Sequence, residues 1–312
     1  MTKGAGWQVE SAQRRTSTFQ VVSADGTRVT GWRNDGNAGA LPVVVSNGLG
    51  TPPAAWPAVV ADRQRFRAVG WYHRGTAGSA RPVDPSHVRV ADHVDDLIAV
   101  MDAEGLEQAV LASWSVGVNV AFEAARLHPD RVAGLLAVAG VPGGTFGSMG
   151  QPLLIPRRLR HQLGTGAARV LRLGAPAIAL IVKGLPLRPA TAWGIAHTGF
   201  VMPRATPERL LPALAEFRSH DWRWYMTLAL GAADHEPMDL SFVRVPTTLL
   251  TGRWDMLTSY RDMQRLAEQL PHATVRVLSG SHFLPLEFPA ECADALAELG
   301  ARTGLAQAGV AN

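Results

Sequence analysis

Apolar and polar residues alternate at the start of the chain, where STFQVVS and TRVTGWR flank the turn Ala24-Asp25-Gly26. A period of two on both sides of a glycine turn predicts a β-hairpin of two antiparallel strands. The pattern then changes. VVVS (43–46), FRAVGW (66–71), AVLAS (109–113) and LLAVAG (135–140) are short and apolar throughout, as expected of strands buried on both faces of a parallel sheet. Between them, VADHVDDLIAVMDAEGL and VGVNVAFEAARLHPD repeat apolar residues at intervals of three and four, the spacing of a helix with one buried face. The alternation resumes with TTLLTG, YRDMQRLAEQL, TVRVLSG and a last helix from Pro289 to Leu299. The expected fold is α/β: a doubly wound, mostly parallel sheet with helices on both faces.

Residues 143–240 interrupt this rhythm. They carry helical apolar stretches and many prolines but no clear strand, so they are expected to form an inserted, mainly helical cap between two parts of one core, 1–142 and 241–312. No internal repeat or low-complexity tract is visible.

Composition narrows the possible functions. A chain of 312 residues with 47% hydrophobic and 18% charged side chains can bury a large core and is too apolar to be disordered. The net charge of +4 comes mostly from arginines scattered without a polybasic block, which argues against a nucleic-acid partner. One cluster, Arg157, Arg158, Arg160 and Arg169, lies among Leu and Ile. Such arginines usually coat a solvated helix face; the alternatives are steering of an acidic substrate or contact with an anionic membrane surface. Cys292 is the only cysteine and sits in a helix-like stretch, which excludes an internal disulfide and suggests a packing residue. The segment MTKGAGWQVESAQRR lacks the apolar run of a secretory signal, and no stretch reaches the roughly 18 apolar residues of a membrane span. A cytoplasmic protein without stable membrane insertion is expected. The nearest exception, LGAPAIALIV (173–182), contains Gly174 and Pro176 and reads as a buried or lipid-facing cap helix.

The candidate chemistry gathers where predicted strands end. In AVLASWSVGV a strand runs through Ser113-Trp114-Ser115-Val116-Gly117 straight into a helix. A side chain at the apex of such a strained turn needs small neighbours two residues before and after it, and Ser113 and Gly117 supply them. Ser115 is therefore the candidate nucleophile, with Ser113 as the out-of-register rival. Upstream, VVVS runs into Asn47-Gly48-Leu49-Gly50, a loop able to aim backbone N–H groups at a developing oxyanion; Leu49 and Val116 are the candidate donors. A base is expected after the last strand, where His282 follows TVRVLSG. His87, His93, His128, His197, His220, His235 and His272 occupy less favourable positions on helices, in the cap region or before a strand. An acid that orients the base is expected after TTLLTG, at Asp255. Its rivals are Asp239, before that strand, and Asp262, one helical turn too late. Trp56, Trp114 and Trp254 flank these motifs and are candidates to line a substrate pocket.

These motifs together resemble the α/β-hydrolase superfamily, in particular its capped lipase, esterase and epoxide-hydrolase-like members. SNGLG is similar to the oxyanion loop, YHRGTAGS to the D-x-R-G-x-G-x-S segment, SWSVG to the nucleophile elbow, TGRWD to the acid loop and GSHFLPLEFP to the histidine loop. The likeness runs from Val43 to Leu299. Asn47, Ser113 and Tyr72 depart from it, standing where members usually carry His, Gly and Asp. The resemblance implies hydrolysis of a small-molecule ester with a lipophilic acyl or alcohol group, through an acyl-enzyme and without a metal or organic cofactor. Members that open epoxides use Asp at the elbow, so Ser115 points away from that reaction. Carbon–carbon or lactone hydrolysis and perhydrolysis by the same residues remain open, as does a ligand receptor on the same fold with negligible turnover.

Overall fold

The computed structural model describes residues 16–150 and 155–305, so the amino-terminal MTKGAGWQVESAQRR considered above lies outside the described residues. Eight strands follow the predicted positions: β1 (Ser17–Val22), β2 (Arg28–Arg33), β3 (Leu41–Ser46), β4 (Phe66–Trp71), β5 (Ala109–Trp114), β6 (Val132–Val138), β7 (Thr247–Gly252) and β8 (Ala273–Leu278). They form one sheet in the order β1-β2-β4-β3-β5-β6-β7-β8. The hairpin β1-β2 joins at one edge with antiparallel pairing to β4, and the remaining pairs are parallel. The helices are α1 (Pro57–Ala61), α2 (Val90–Ala103), α3 (Gly117–Leu127), α4 (Arg157–Leu173), α5 (Ala175–Gly184), α6 (Pro189–Ala196), α7 (Pro207–Ser219), α8 (Trp222–Ala233), α9 (Tyr260–Glu268), α10 (Leu284–Glu287) and α11 (Pro289–Thr303).

The apolar strands are buried on both faces because successive side chains point to opposite sides of the pleat. Val44, Val69 and Leu111 join α2, α3 and α9 in one core, with Leu97, Phe122 and Met263 among its members. Their strand neighbours Val43, Val45, Val110 and Ala112 join α1 and α11 in the other, against Val59, Leu296 and Leu299. Cys292 belongs to this second core and is 1% exposed; burial pushes its thiol pKa up. The edge strand β8 is the least covered, with its side chains half-buried or exposed.

Topology fixes where a site can form. From β3 the chain crosses to β4 on one side and returns to β5 on the other. The loops after β3 and β5 therefore diverge, leaving a crevice at the carboxyl ends of these central strands. Between β6 and β7 the described residues hold helices α4 to α8 and no strand.

The hairpin is tied to this core by a buried ion pair. Arg74 follows β4, and its side chain is fully buried with Asp96 of α2, whose Oδ1 and Oδ2 accept bonds of 2.8 Å from Nη2 and 2.9 Å from Nε. Its Nη1 reaches Asp25 in the hairpin turn at 2.5 Å, and Nη2 donates to Ser23 Oγ at 3.0 Å. Burial would raise the Asp25 carboxyl, but the Thr27 and Arg74 hydrogen bonds hold it down at about 2. In the YHRGTAGS segment Arg74 thus has a structural task. Arg74→Ala should lower unfolding stability by about 3–5 kcal/mol, because Asp96 would stay buried without its counter-charge. Urea denaturation of the two proteins at neutral pH tests this, and a loss under about 1 kcal/mol would contradict it.

Candidate active site

Ser115 lies between the end of β5 and the start of α3, with a φ of 56°. That left-handed conformation strains a residue carrying a Cβ and is held here by its surroundings. The Ser115 N–H donates to Val138 O at 3.0 Å, and its carbonyl accepts from the Val118 N–H at 3.0 Å. The flanking glycines are required by contact. A Cβ at Gly117 would sit 2.0 Å from Ser46 O, and one at Gly140 would sit 2.5 Å from Ser115 O. Ser113, the rival, is fully buried and donates its Oγ to Leu136 O at 2.7 Å, within the sheet.

His282 Nε2 lies 2.8 Å from Ser115 Oγ, and His282 Nδ1 lies 2.9 Å from Asp255 Oδ2. The two side chains come from the loops after β8 and β7, which are adjacent parallel strands. The carboxylate is itself fixed, since Asp255 Oδ1 accepts the N–H groups of Leu257 and Thr258 at 2.8 and 2.7 Å. Asp255 and His282 are 2% and 4% exposed. Trp114 Nε1 donates to His282 O at 2.9 Å, which ties the histidine loop to the strand before Ser115.

The loop after β3 is held by Asn47, which uses both ends of its amide. Nδ2 donates to Thr51 O and Pro52 O at 2.9 and 3.0 Å, while Oδ1 accepts from the Gly48 N–H at 3.0 Å and from Trp56 Nε1 at 3.1 Å. Leu49 and Val116 both line the cavity beside Ser115, and among the described residues no protein acceptor takes either backbone N–H.

That cavity has a volume of about 430 Å³. Its wall combines Leu49, Trp114 and Val116 with Phe146, Met149, Ala168 and Leu171, and with Phe200, Phe217 and Phe283. Among the described residues, no Asp, Glu, Lys or Arg lines it.

From Val43 to Ala295 the sequence matches the model described as the alpha/beta hydrolase family. The chain belongs to that family. Among curated relatives of this hydrolase, a Caulobacter sp. (strain K31) protein named carbamate hydrolase RutD is 32% identical over 251 residues, 79% of this chain and 85% of the relative. Two solved structures share the fold. A thermophilic esterase from Thermogutta terrifontis superposes with a TM-score of 0.65 at 21% identity, covering 90% of this chain and 97% of the esterase. The enol-lactonase from Burkholderia xenovorans LB400 gives a TM-score of 0.65 at 21% identity over 89% and 99% of the two chains.

Of the three tryptophans expected along the hydrolase's pocket, only Trp114 lines the cavity. Trp56 is 1% exposed and packs in the second core, where its indole N–H braces Asn47. Trp254 is 55% exposed and lies outside the cavity; the turn that brings its neighbour Asp255 inward leaves the indole in solvent. The rival acids are also elsewhere. Asp239 bonds Ser241 on the surface, while Asp262 accepts from Ser148 Oγ and Arg265.

Two residues not anticipated from sequence brace the candidate oxyanion loop from α8 and the residues before it. His220 Nε2 lies 2.7 Å from Gly50 O, so its ring N–H donates there. Burial holds this imidazole below its ordinary pKa, against the opposing effect of the Gly50 bond. Tyr225 OH donates to Leu49 O at 3.3 Å. Gly50 has a φ of 64°, and a Cβ there would meet His220 Nε2 at 2.5 Å. The contacts span about 170 positions of sequence, beyond the reach of any local motif. His73, buried in the loop after β4, is held neutral by burial and by the nearby His93, with its pKa down at about 3.

Proposed function

We propose that this alpha/beta hydrolase is a serine esterase whose substrate carries a lipophilic acyl or alcohol group. The observation that carries this reading is the continuous chain of contacts from Ser115 Oγ through the His282 imidazole to the Asp255 carboxylate. In the proposed reaction His282 Nε2 takes the Ser115 proton as Oγ attacks the ester carbonyl. The tetrahedral oxyanion is received by the N–H groups of Leu49 and Val116, and Asp255 stabilises the imidazolium. His282 returns the proton to the departing alcohol, then activates the water that hydrolyses the acyl-enzyme. Residues 143–240 act as the cap whose apolar side chains complete the acyl pocket.

A second reading takes support from the relative named carbamate hydrolase: the same groups could attack a carbamate carbonyl. The apolar cavity wall favours the ester, because a small carbamate would leave most of that wall without a partner. A fluorophosphonate probe followed by a series of p-nitrophenyl esters and carbamates tests both readings. The probe should label Ser115 stoichiometrically. From acetate to butyrate, kcat/KM should rise about fourfold per methylene, corresponding to roughly 0.8 kcal/mol for each buried CH₂. Absence of labelling, or carbamates outpacing every ester, would overturn the esterase reading.

A further inference from the structure

The cavity uses one face of α4, and a second face of the helix is also apolar. Gly164, Ala167, Ala168 and Leu171 line the cavity. Leu159, Leu163, Val170 and Leu173 recur at intervals of four, seven and three, which puts them on one stripe of the helix. That stripe is in solvent, with Val170 68% and Leu173 75% exposed. The chain bends by 77° into α5, where Leu180 and Ile181 are 76% and 67% exposed. Among the described residues, ten of the sixteen exposed large apolar side chains fall between Leu159 and Phe200. A soluble surface rarely gathers its apolar residues in this way unless something covers them.

The charge of the same region indicates what does. From Arg131 to Pro207 the sequence contains no Asp or Glu, whereas eight cationic side chains fall between Arg157 and Arg204. The chain as a whole carries only +4, so positive charge is concentrated beside the apolar stripe. Arg169, Arg172, Lys183 and Arg188 are exposed and form no ion pair with a described residue. Arg160 points inward instead, donating to Ile155 O.

We propose that the outer face of α4 and α5 docks this protein on an anionic phospholipid surface, with Leu159, Leu163, Val170, Leu173, Leu180 and Ile181 at the acyl boundary and the cations at the headgroups. Bulky aliphatic side chains beside unpaired Arg and Lys are the makeup of a helix that lies in a membrane interface. A second copy of the chain fits less well. A twofold contact would set the same cation-rich, acid-free patch against itself. Trp193 is 59% exposed in the next helix, α6, and suits the headgroup level. No single described helix is long and apolar enough to cross a membrane, and α4 with α5, which together reach that length and composition, meet at a bend of 77°. The proposed contact lies on one leaflet, because α4 also lines the cavity of the folded domain. Leu171 and Phe200 are both exposed and in the cavity wall, which sets the cavity beside the docking face.

Co-sedimentation of the full chain with vesicles tests the proposal without requiring turnover. Vesicles of phosphatidylcholine with one third phosphatidylglycerol should bind the protein at least about tenfold better than phosphatidylcholine alone, and about 0.5 M salt should release most of it. Leu180→Ser with Ile181→Ser should weaken binding about tenfold or more, and so should Arg169→Glu with Arg172→Glu. Both double variants should keep wild-type hydrolysis of a water-soluble ester, which shows that they fold. Ser115→Ala should bind like the wild type, so failure of docking and failure of the esterase reading are separable. Lack of vesicle binding, equal binding to neutral vesicles, or a solution dimer dissolved by the Leu180 and Ile181 changes would overturn the proposal.

Discussion

Ser115→Ala is expected to cut kcat for p-nitrophenyl butyrate by about 10⁴ to 10⁶-fold while the protein stays folded. The oxygen removed makes one described hydrogen bond, to His282 Nε2, so little else is lost with it. Alanine carries the same Cβ as serine, and the cost of a φ of 56° is present in both proteins. Unfolding free energies should therefore agree to within about 1 kcal/mol. Without Oγ no acyl-enzyme can form. Any residual rate must come from water attacking a carbonyl polarised by the candidate oxyanion donors, which leaves a modest advantage over solution. A folded Ser115→Ala protein with more than a tenth of wild-type kcat would remove Ser115 from the mechanism.

The second large effect is expected from Asp255→Asn, a loss of about 10⁴-fold in kcat with KM little changed. Asparagine can keep the Oδ1 position that accepts the Leu257 and Thr258 N–H groups. Its other end then presents an NH₂ donor to His282 Nδ1, where the carboxylate offered an acceptor at 2.9 Å. The imidazole responds by moving its proton to Nε2. In that tautomer the nitrogen 2.8 Å from Ser115 Oγ is a donor and cannot take the serine proton. Steady-state kinetics measures the rate, and ¹⁵N NMR of the imidazole reads the tautomer. A loss of less than about tenfold, with the proton still on Nδ1, would mean that the carboxylate does not orient the base.

Much of this arrangement was legible in the sequence because its causes are local. The inner parallel strands announce themselves as apolar runs since they are buried on both faces, and the turn at Ser115 needs small residues at fixed offsets. His282 and Asp255 follow from the rule that chemistry gathers at the carboxyl ends of such strands. What escaped depends on contacts between distant segments. The bracing of Gly50 by His220 and of Leu49 by Tyr225 has no counterpart in any short window. The tryptophans show the same limit. Trp56 and Trp254 are each within a few residues of a recognisable motif, yet one turns into the core and the other into solvent. Nearness in sequence does not fix the direction of a side chain in a loop.

The hydrogen bonds and close approaches around Ser115 are made largely by main-chain atoms: Val138 O on its amide, the Val118 amide on its carbonyl, and the contacts that bar a side chain from 117 and 140. The cavity wall beyond it is completed by side chains, among them those of Phe146, Met149, Ala168 and Leu171 and of Tyr225, Met226 and Ala229 in α8. Alignment of the attacking oxygen and choice of what it attacks are thus held by different kinds of atom. Trp114 and Tyr225 belong to both sets, since they also hold His282 and Leu49. The wall at Phe146, Met149, Ala168 and Leu171 makes none of these contacts and can be enlarged, narrowed or made more polar by mutation, so selectivity is the property of this scaffold most open to redesign.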